Sequence, residues 1–353
     1  MLVYITRRLL LMVPTLLLIT AVVFAVLKAA PGNPFSAART SGEGSKRQMN
    51  PEDYQALLAR YGLDRPWYVQ YGRWLKSVLT GSFGDSFSQR RPVSQVLFGE
   101  SSGAFGEAGS GPKGAGLFAA RLLESPFGAT LFLNLLSLVL MVAVALPAGF
   151  RSAVKRGGWF DRLSGGVFYA LYALPNFWVA VLLILLFGVH WKLLPFIGMR
   201  SDGFEAMSLW RQAADLLLHA ALPAVCLAYG SLAFVARFSR GALLEVLHQD
   251  YIRTARAKGL PEGAVLRRHA LRNALIPLLT LAGLLVPALV SGSVIIESIF
   301  SWPGLGQVYV KAIYARDYPV IMAESVLCAL VVLGSNLLTD LAYALADPRV
   351  RLE

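Results

Sequence analysis

Six long apolar runs alternate with short segments rich in arginine and lysine, and that alternation leaves the chain few ways to fold. The first runs from Leu9 to about Leu27; the others cover about 127–150, 163–189, 216–238, 274–299 and 320–345. Roughly 20 apolar residues cross the hydrocarbon of a bilayer as a helix. Backbone polar groups inside lipid must bond within their own segment, so helices are the expected spanning elements. The sequence therefore predicts an all-α polytopic membrane protein with six transmembrane helices. Four of the five later runs carry an internal proline (Pro147, Pro175, Pro223 and Pro287), so kinks are expected there.

Charge sets the predicted orientation. The chain of 353 residues is 56% hydrophobic and only 15% charged, yet its formal net charge is +12. Those cations sit beside apolar runs, which suits anionic lipid head groups rather than nucleic acid. The loop 151–162 holds Arg151, Lys155, Arg156 and Arg162 against Asp161. The loop 239–273 holds Arg240, Arg253, Arg256, Lys258, Arg267, Arg268 and Arg272 against Glu245, Asp250 and Glu262. On the opposite side Lys192, Arg200 and Arg211 are balanced by Asp202, Glu205 and Asp215, and Lys311 and Arg316 face Asp317. The 30–126 segment is long enough to translocate regardless of charge, so the positive-inside rule puts both termini in the cytoplasm. Arg7 and Arg8 precede the first run and no small-x-small cleavage signature follows Lys28, which predicts a retained first span rather than a removed signal peptide.

The divisions expected along the chain are a first span (1–29), an external segment (30–126), a five-span core (127–345) and a cytoplasmic tail (346–353). Within the external segment, Pro31-Gly32-Asn33-Pro34 reads as a turn, and Asn50-Pro51-Glu52-Asp53 as a helix start. Tyr54, Leu57, Leu58 and Tyr61 form one helical stripe ending at Gly62. A second helix follows Pro66 with Trp67, Tyr71, Trp74, Leu75 and Val78 on one face, as expected for a helix lying at a membrane interface. Gly99–Gly116 is rich in Gly, Ser and Ala and reads as a flexible insertion. Between the last two spans, Pro303-Gly304 fits the centre of a type II turn, and Asp317 and Pro319 open the last helix.

Several chemistries find no support. Cys226 and Cys328 lie in apolar runs without CxxC spacing and read as buried thiols. No Gly-x-x-x-x-Gly-Lys-Ser/Thr loop occurs, the Gly109–Gly116 cluster lacking that order, so no nucleotide site is expected on this chain. His190 and His219 sit at span ends without metal-ligand spacing. No catalytic constellation or metal site is expected.

The loop 239–273 is the exception to a plain basic loop. It divides at Gly259-Leu260-Pro261: a helix through about 242–258 ends on Gly259 as a left-handed cap, and a second, about 261–273, starts at Pro261. Thr254, Ala255, Ala257 and Gly259 keep this turn thin enough to enter a groove on another protein. Small residues and a tight turn add nothing to lipid binding, whereas Arg267, Arg268 and Arg272 read as lipid-facing.

Tyr251-Ile-Arg-Thr-Ala-Arg-Ala-Lys-Gly-Leu260, followed by Arg268-His-Ala-Leu-Arg-Asn-Ala-Leu-Ile-Pro277, resembles the cytoplasmic "EAA" loop of bacterial ABC importer permeases, in the form of the dipeptide/oligopeptide/nickel family. Arg253-Thr254 stands where the general motif has Glu-Ala. The resemblance extends to Pro31–Pro34, Tyr61-Gly-Leu-Asp-Arg-Pro66 with Gln70-Tyr71, Pro92-Val93, Ile296-Glu-Ser-Ile-Phe-Ser-Trp-Pro-Gly-Leu-Gly306 and Ala315-Arg-Asp-Tyr-Pro319. The family's Gly-Asp-Leu-Gly-x-Ser stands here as Gly81-Ser82-Phe83-Gly84-Asp85-Ser86.

The resemblance implies a type I ABC importer permease fold with a long external segment after the first span. It implies that Arg253, Thr254, Ala255, Arg256, Lys258, Gly259, Leu260 and Pro261 dock into a cleft on a cytoplasmic ATPase, with Gly259 allowing the turn and Ala255 a close approach. The chain itself would bind no cofactor, ATP being used by the partners. Those partners would be a second, homologous permease, two ATPases and an external substrate-binding protein, in the cytoplasmic membrane of a bacterium or archaeon. Peptides or a similar small solute would be the cargo.

Polar residues within spans are the default candidates for a substrate path. They are Ser291, Ser293 and Glu297 in the fifth run and Asn336 in the sixth, each with an alternative structural role. The competing function is a secondary transporter or channel working alone. Inverted repeats and broken helices with ionisable groups at the midplane would mark one, and neither is expected from the sequence.

Overall fold

The structure is a computed structural model that describes residues 2–30, 50–99, 123–290 and 292–346. The expected turn at Pro31–Pro34, residues 100–116 of the Gly/Ser-rich stretch, Ser291 and the tail beyond Ala346 lie outside the described residues. The ordered elements are helical. They are α1 (Leu2–Ala29), α2 (Pro51–Arg60), α3 (Trp67–Leu79), α4 (Val93–Phe98), α5 (Pro126–Val154), α6 (Trp159–Ala173) and α7 (Asn176–Leu183). Then come α8 (Leu209–Leu247), α9 (Asp250–Ala257), α10 (Arg272–Leu285), α11 (Val294–Ile299), α12 (Leu305–Ala315) and α13 (Tyr318–Ala346). By length and composition α1, α5, α8 and α13 are each able to cross a membrane, and α6 with α7 and the π-helical Ile184–His190 form a further, bent candidate.

Two compact units emerge. One combines Leu2–Ala129 with Gln307–Leu333, the other Thr130–Gly306 with Gly334–Glu353. In the first, α3 turns its aromatic face onto α1. Thr20 Oγ1 lies 2.9 Å from the Tyr71 hydroxyl, the Phe24 and Tyr71 rings are 5.4 Å apart, and Trp74 stacks on Tyr71. Part of the stripe expected to rest on lipid therefore packs on the first helix, where aromatic pairs add to burial. Pro51 occupies the first turn of α2 and Gly62 closes it at φ +66°, as expected.

Asp317 takes a role that helix-start signals do not reveal. Its carboxylate is fully buried and accepts from Ser86 Oγ (2.5 Å), Ser88 Oγ (2.7 Å) and the amides of Phe87 (3.1 Å) and Ser88 (2.9 Å). The charge is matched by four donors from one loop, as a buried carboxylate requires. Two motifs far apart in sequence are thus one clasp.

In the second unit α5, α8 and α10 share a core of Met141, Ala145, Val235, Ala236, Leu278 and Leu281. Small residues set the closest approaches. A Cβ at Gly149 would collide with Ser239 Oγ and the Ala236 carbonyl, and one at Gly283 with the Thr339 side chain. Such contacts let membrane helices pack on van der Waals terms alone.

At two of the four prolines where kinks are expected, Pro175 and Pro287, the helices break outright. Helices α6 and α7 bend by 99° at Leu174–Pro175. The fifth run is split: α10 passes through a 3₁₀ turn (Val286–Leu289), and helix resumes only at Val294. Each break exposes a carbonyl, and each carbonyl finds a donor. The Tyr229 hydroxyl bonds Leu174 O (3.0 Å), and Asn134 Nδ2 bonds Leu289 O (3.0 Å). Neighbouring helices satisfy the freed groups, which is what allows such breaks at membrane depth. By contrast Pro147 and Pro223 lie inside continuous helices.

Candidate functional site: the hairpin between two spans

The expected helix through 242–258 is two helices. α8 ends at Leu247, and α9 starts afresh at Asp250 after Gln249 in an extended conformation. α9 is amphipathic. Ile252 (0% exposed) and Ala255 (6%) point into a cluster with Ala153, Leu243, Val265, Ala270 and Ala274. Tyr251, Arg253, Thr254, Arg256, Lys258, Leu260 and Pro261 are exposed. Seven of the eight expected docking positions therefore share one accessible surface or its turn. The eighth, Ala255, is buried, its small side chain seating α9 on the core.

Gly259 has φ +78° with open space where a Cβ would project, so conformation and not room makes it a glycine. Its amide bonds Arg256 O at 2.9 Å, closing the helix end. Pro261 restarts the chain: Ala264 and Val265 amides bond its carbonyl, and a π-helical turn over Val265–Leu271 leads directly into α10. The second arm is thus continuous with the next helix, and Pro277 lies inside that helix rather than starting it. Arg256 Nε meets Glu262 Oε1 at 2.9 Å across the turn, an exposed pair of small energetic weight.

Asn273, Arg240 and Asp161 hold the hairpin, a role that no local sequence signal marks. Asn273 Nδ2 donates to the Tyr251 hydroxyl (3.0 Å) and to His269 O (2.9 Å), tying the two arms. At the root, Arg240 donates twice to Asp161, Nε to Oδ1 and Nη2 to Oδ2, both at 2.8 Å. The Gly157 amide adds a third bond to Asp161 at 2.9 Å. The paired guanidinium holds the Asp161 carboxyl below the usual carboxylate range, and the same pairing raises Arg240. Opposite charges at motif spacing leave a sequence signal; a pair 79 residues apart leaves none.

Of the expected path residues, Ser293 is half-buried and Asn336 exposed. Glu297 is 1% exposed. Its Oε1 accepts from Thr130 Oγ1 (3.0 Å) and the Ser293 amide (3.3 Å), and Thr130 Oγ1 in turn accepts from the Leu305 amide (2.8 Å). Gly292, Gly304 and Gly306 crowd around it, a Cβ at Gly304 falling 2.6 Å from Glu297 Oε2. Glu297 therefore organises the backbone of the Gly-rich segment. The type II turn expected at Pro303-Gly304 is not formed: the left-handed residue is Ser301 (φ +52°), and Gly304 is required for space.

Residues 145–352 match the family described as binding-protein-dependent transport system inner membrane component, and residues 1–101 match its N-terminal counterpart. The chain belongs to this family. The oligopeptide transport system permease protein AppB of Bacillus subtilis is 37% identical over 351 residues, covering 98% of each chain. The dipeptide transport system permease protein DppB of Escherichia coli K12 is 38% identical over 367 residues, covering 99% of each. The di/tripeptide permease protein DppB of Pseudomonas aeruginosa is 37% identical over 365 residues, again 99% of each. A chain of the MetNI methionine ABC transporter in an inward-facing crystal form aligns with a TM-score of 0.50 at 22% identity, over 67% of this chain and 100% of that one. The fold is accordingly that of an ABC importer permease. Membership in this binding-protein-dependent family makes the chain a multi-pass membrane subunit of a transporter rather than an enzyme.

Proposed function

We propose that this chain is the permease of an ABC importer for short peptides or similar solutes, driven by ATPases that dock on the α9–Gly259–Pro261 hairpin. The observation that carries this reading is the hairpin's construction. One face is fixed in an apolar cluster, and the other offers Tyr251, Arg253, Thr254, Arg256, Lys258 and Leu260 with Gly259 at the tip. Force applied to the tip reaches α10 without an intervening loop. The family name speaks for a substrate-binding protein as a partner, and the relatives named as peptide permeases speak for peptide cargo.

The complete assembly we infer has a second homologous permease, two cytoplasmic ATPases and an external binding protein. It would lie in the cytoplasmic membrane of a bacterium or archaeon, with both termini of this chain inside. Ser291, Ser293 and Asn336 are proposed to line the path, with Glu297 behind them holding the wall. The broken helices remove one argument against a transporter working alone, but such a transporter has no use for a seated hairpin with an open tip.

Co-purification of the ATPases tests the docking. Gly259→Trp projects a large side chain into open space at the tip and should abolish ATPase capture. Gly259→Asn, which tolerates a left-handed backbone, should retain it. Equal capture by wild type and Gly259→Trp would remove the hairpin from the coupling role.

A further inference from the structure

A cavity of about 350 Å³ opens between α5, α6 and α8 at the end of the core that carries the hairpin. That size lies within the range of small-molecule pockets, about 300–1,000 Å³. Its lining is mainly apolar, with Phe168, Tyr169, Ala233 and Ala236, and a few polar groups converge on it: the Ser152 and Ser164 hydroxyls, 3.1 Å apart, and the Asp161–Arg240 pair. Arg237 stands at the rim, exposed, with its guanidinium carbon 4.0 Å from the centre of the Tyr169 ring.

The charge inventory decides what fits. Asp161 is engaged by Arg240 through both oxygens and by the Gly157 amide, so it does not serve Arg237. Among the described residues Arg237 has no acidic partner. Stacking on Tyr169 leaves the edge donors of the guanidinium available, and that edge matches a phosphate through two parallel bonds. Arg151 in the last turn of α5, Lys155 and Arg156 in the adjoining loop and Arg162 in the first turn of α6 are all exposed nearby in sequence. Beside the rim, Tyr169, Phe234 and Phe238 are exposed apolar surface on α6 and α8. A cation at the rim of a mainly apolar cavity, next to exposed aromatic groups, suits a ligand with an anionic head and hydrocarbon chains.

We propose that this cavity binds the phosphate head of one anionic phospholipid from the leaflet at the hairpin end, held by Arg237, with its acyl chains against Tyr169 and Phe234. A basic pocket between helices at this depth is where anionic head groups are recognised. The proposal needs the core to span a bilayer but not the hairpin to bind an ATPase, so either can fail alone.

Native mass spectrometry of the detergent-purified importer complex, titrated with phosphatidylglycerol or phosphatidylcholine, tests it. One phosphatidylglycerol should be retained per wild-type permease. Arg237→Ala should weaken its retention by about tenfold or more, and Arg237→Lys by less, since a point charge replaces a bidentate fork. Phosphatidylcholine should not be retained at the site, and millimolar inorganic phosphate should not displace the lipid. Tyr169→Leu supplies a second variant: by releasing the guanidinium it should weaken retention several-fold with an unchanged unfolding midpoint. Three results would each overturn the proposal. They are equal retention by wild type, Arg237→Ala and Tyr169→Leu, displacement by free phosphate, or loss of pairing between permeases in Arg237→Ala with lipid retention unchanged.

Discussion

At the scale of single residues, the carboxylates carry the most easily measured consequences. Asp317 receives four hydrogen bonds inside a buried site. Asp317→Asn turns one accepting oxygen into a donor that faces other donors, and each unmet buried group costs about 1–3 kcal/mol. The expected outcome is a lower unfolding midpoint and faster proteolysis within 81–92, with the helix content retained. Asp161 predicts a pH effect. Its folded pKa is held low chiefly by its hydrogen bonds from Arg240. A depressed carboxyl contributes stability above its unfolded pKa of about 3.9 and loses it as pH falls through the folded value. The stability gap between wild type and Asp161→Asn should therefore be full at neutral pH and shrink as the pH is taken below the ordinary carboxylate pKa of about 3.9, followed by thermal unfolding. A gap that persists at low pH would mean that packing, not charge, accounts for the difference.

At the scale of elements, the hairpin is a unit because its two arms are bonded to each other and to the core. Tyr251 and Asn273 should couple in a double-mutant cycle (Tyr251→Phe, Asn273→Ala) by about 0.5–1.5 kcal/mol, the net worth of one hydrogen bond. ATPase stimulation should fall in both single variants, and a coupling near zero would show that the arms are held by the apolar cluster alone. Much of this element could be read beforehand. Gly259 and Pro261 mark the turn because backbone rules for those residues are local, and α2 and α3 were legible from Pro51, Gly62 and Pro66 for the same reason. The inward turn of Ala255, the clasp on Asp317 and the Arg240–Asp161 root could not be read. Each depends on which distant segment packs against it, and small or single charged residues do not encode that. Pro175 and Pro287 mark where the chain bends, but not that it breaks there and stays helical through Pro147 and Pro223, since the donors that permit the breaks, Tyr229 and Asn134, sit on other helices.

At the scale of the whole molecule, sequence composition, the apolar helices and the family match agree on a membrane subunit of a binding-protein-dependent importer. The chain brings the spans and the hairpin, while the energy source lies in its partners. Uptake by the reconstituted system tests that division most directly. In proteoliposomes holding both permeases and the ATPases, with binding protein and labelled dipeptide outside and ATP sealed within, accumulation should require ATP. It should vanish when the ATPases are omitted or when this chain carries Gly259→Trp. Uptake of the same peptide by this chain alone, without ATP, would contradict the account.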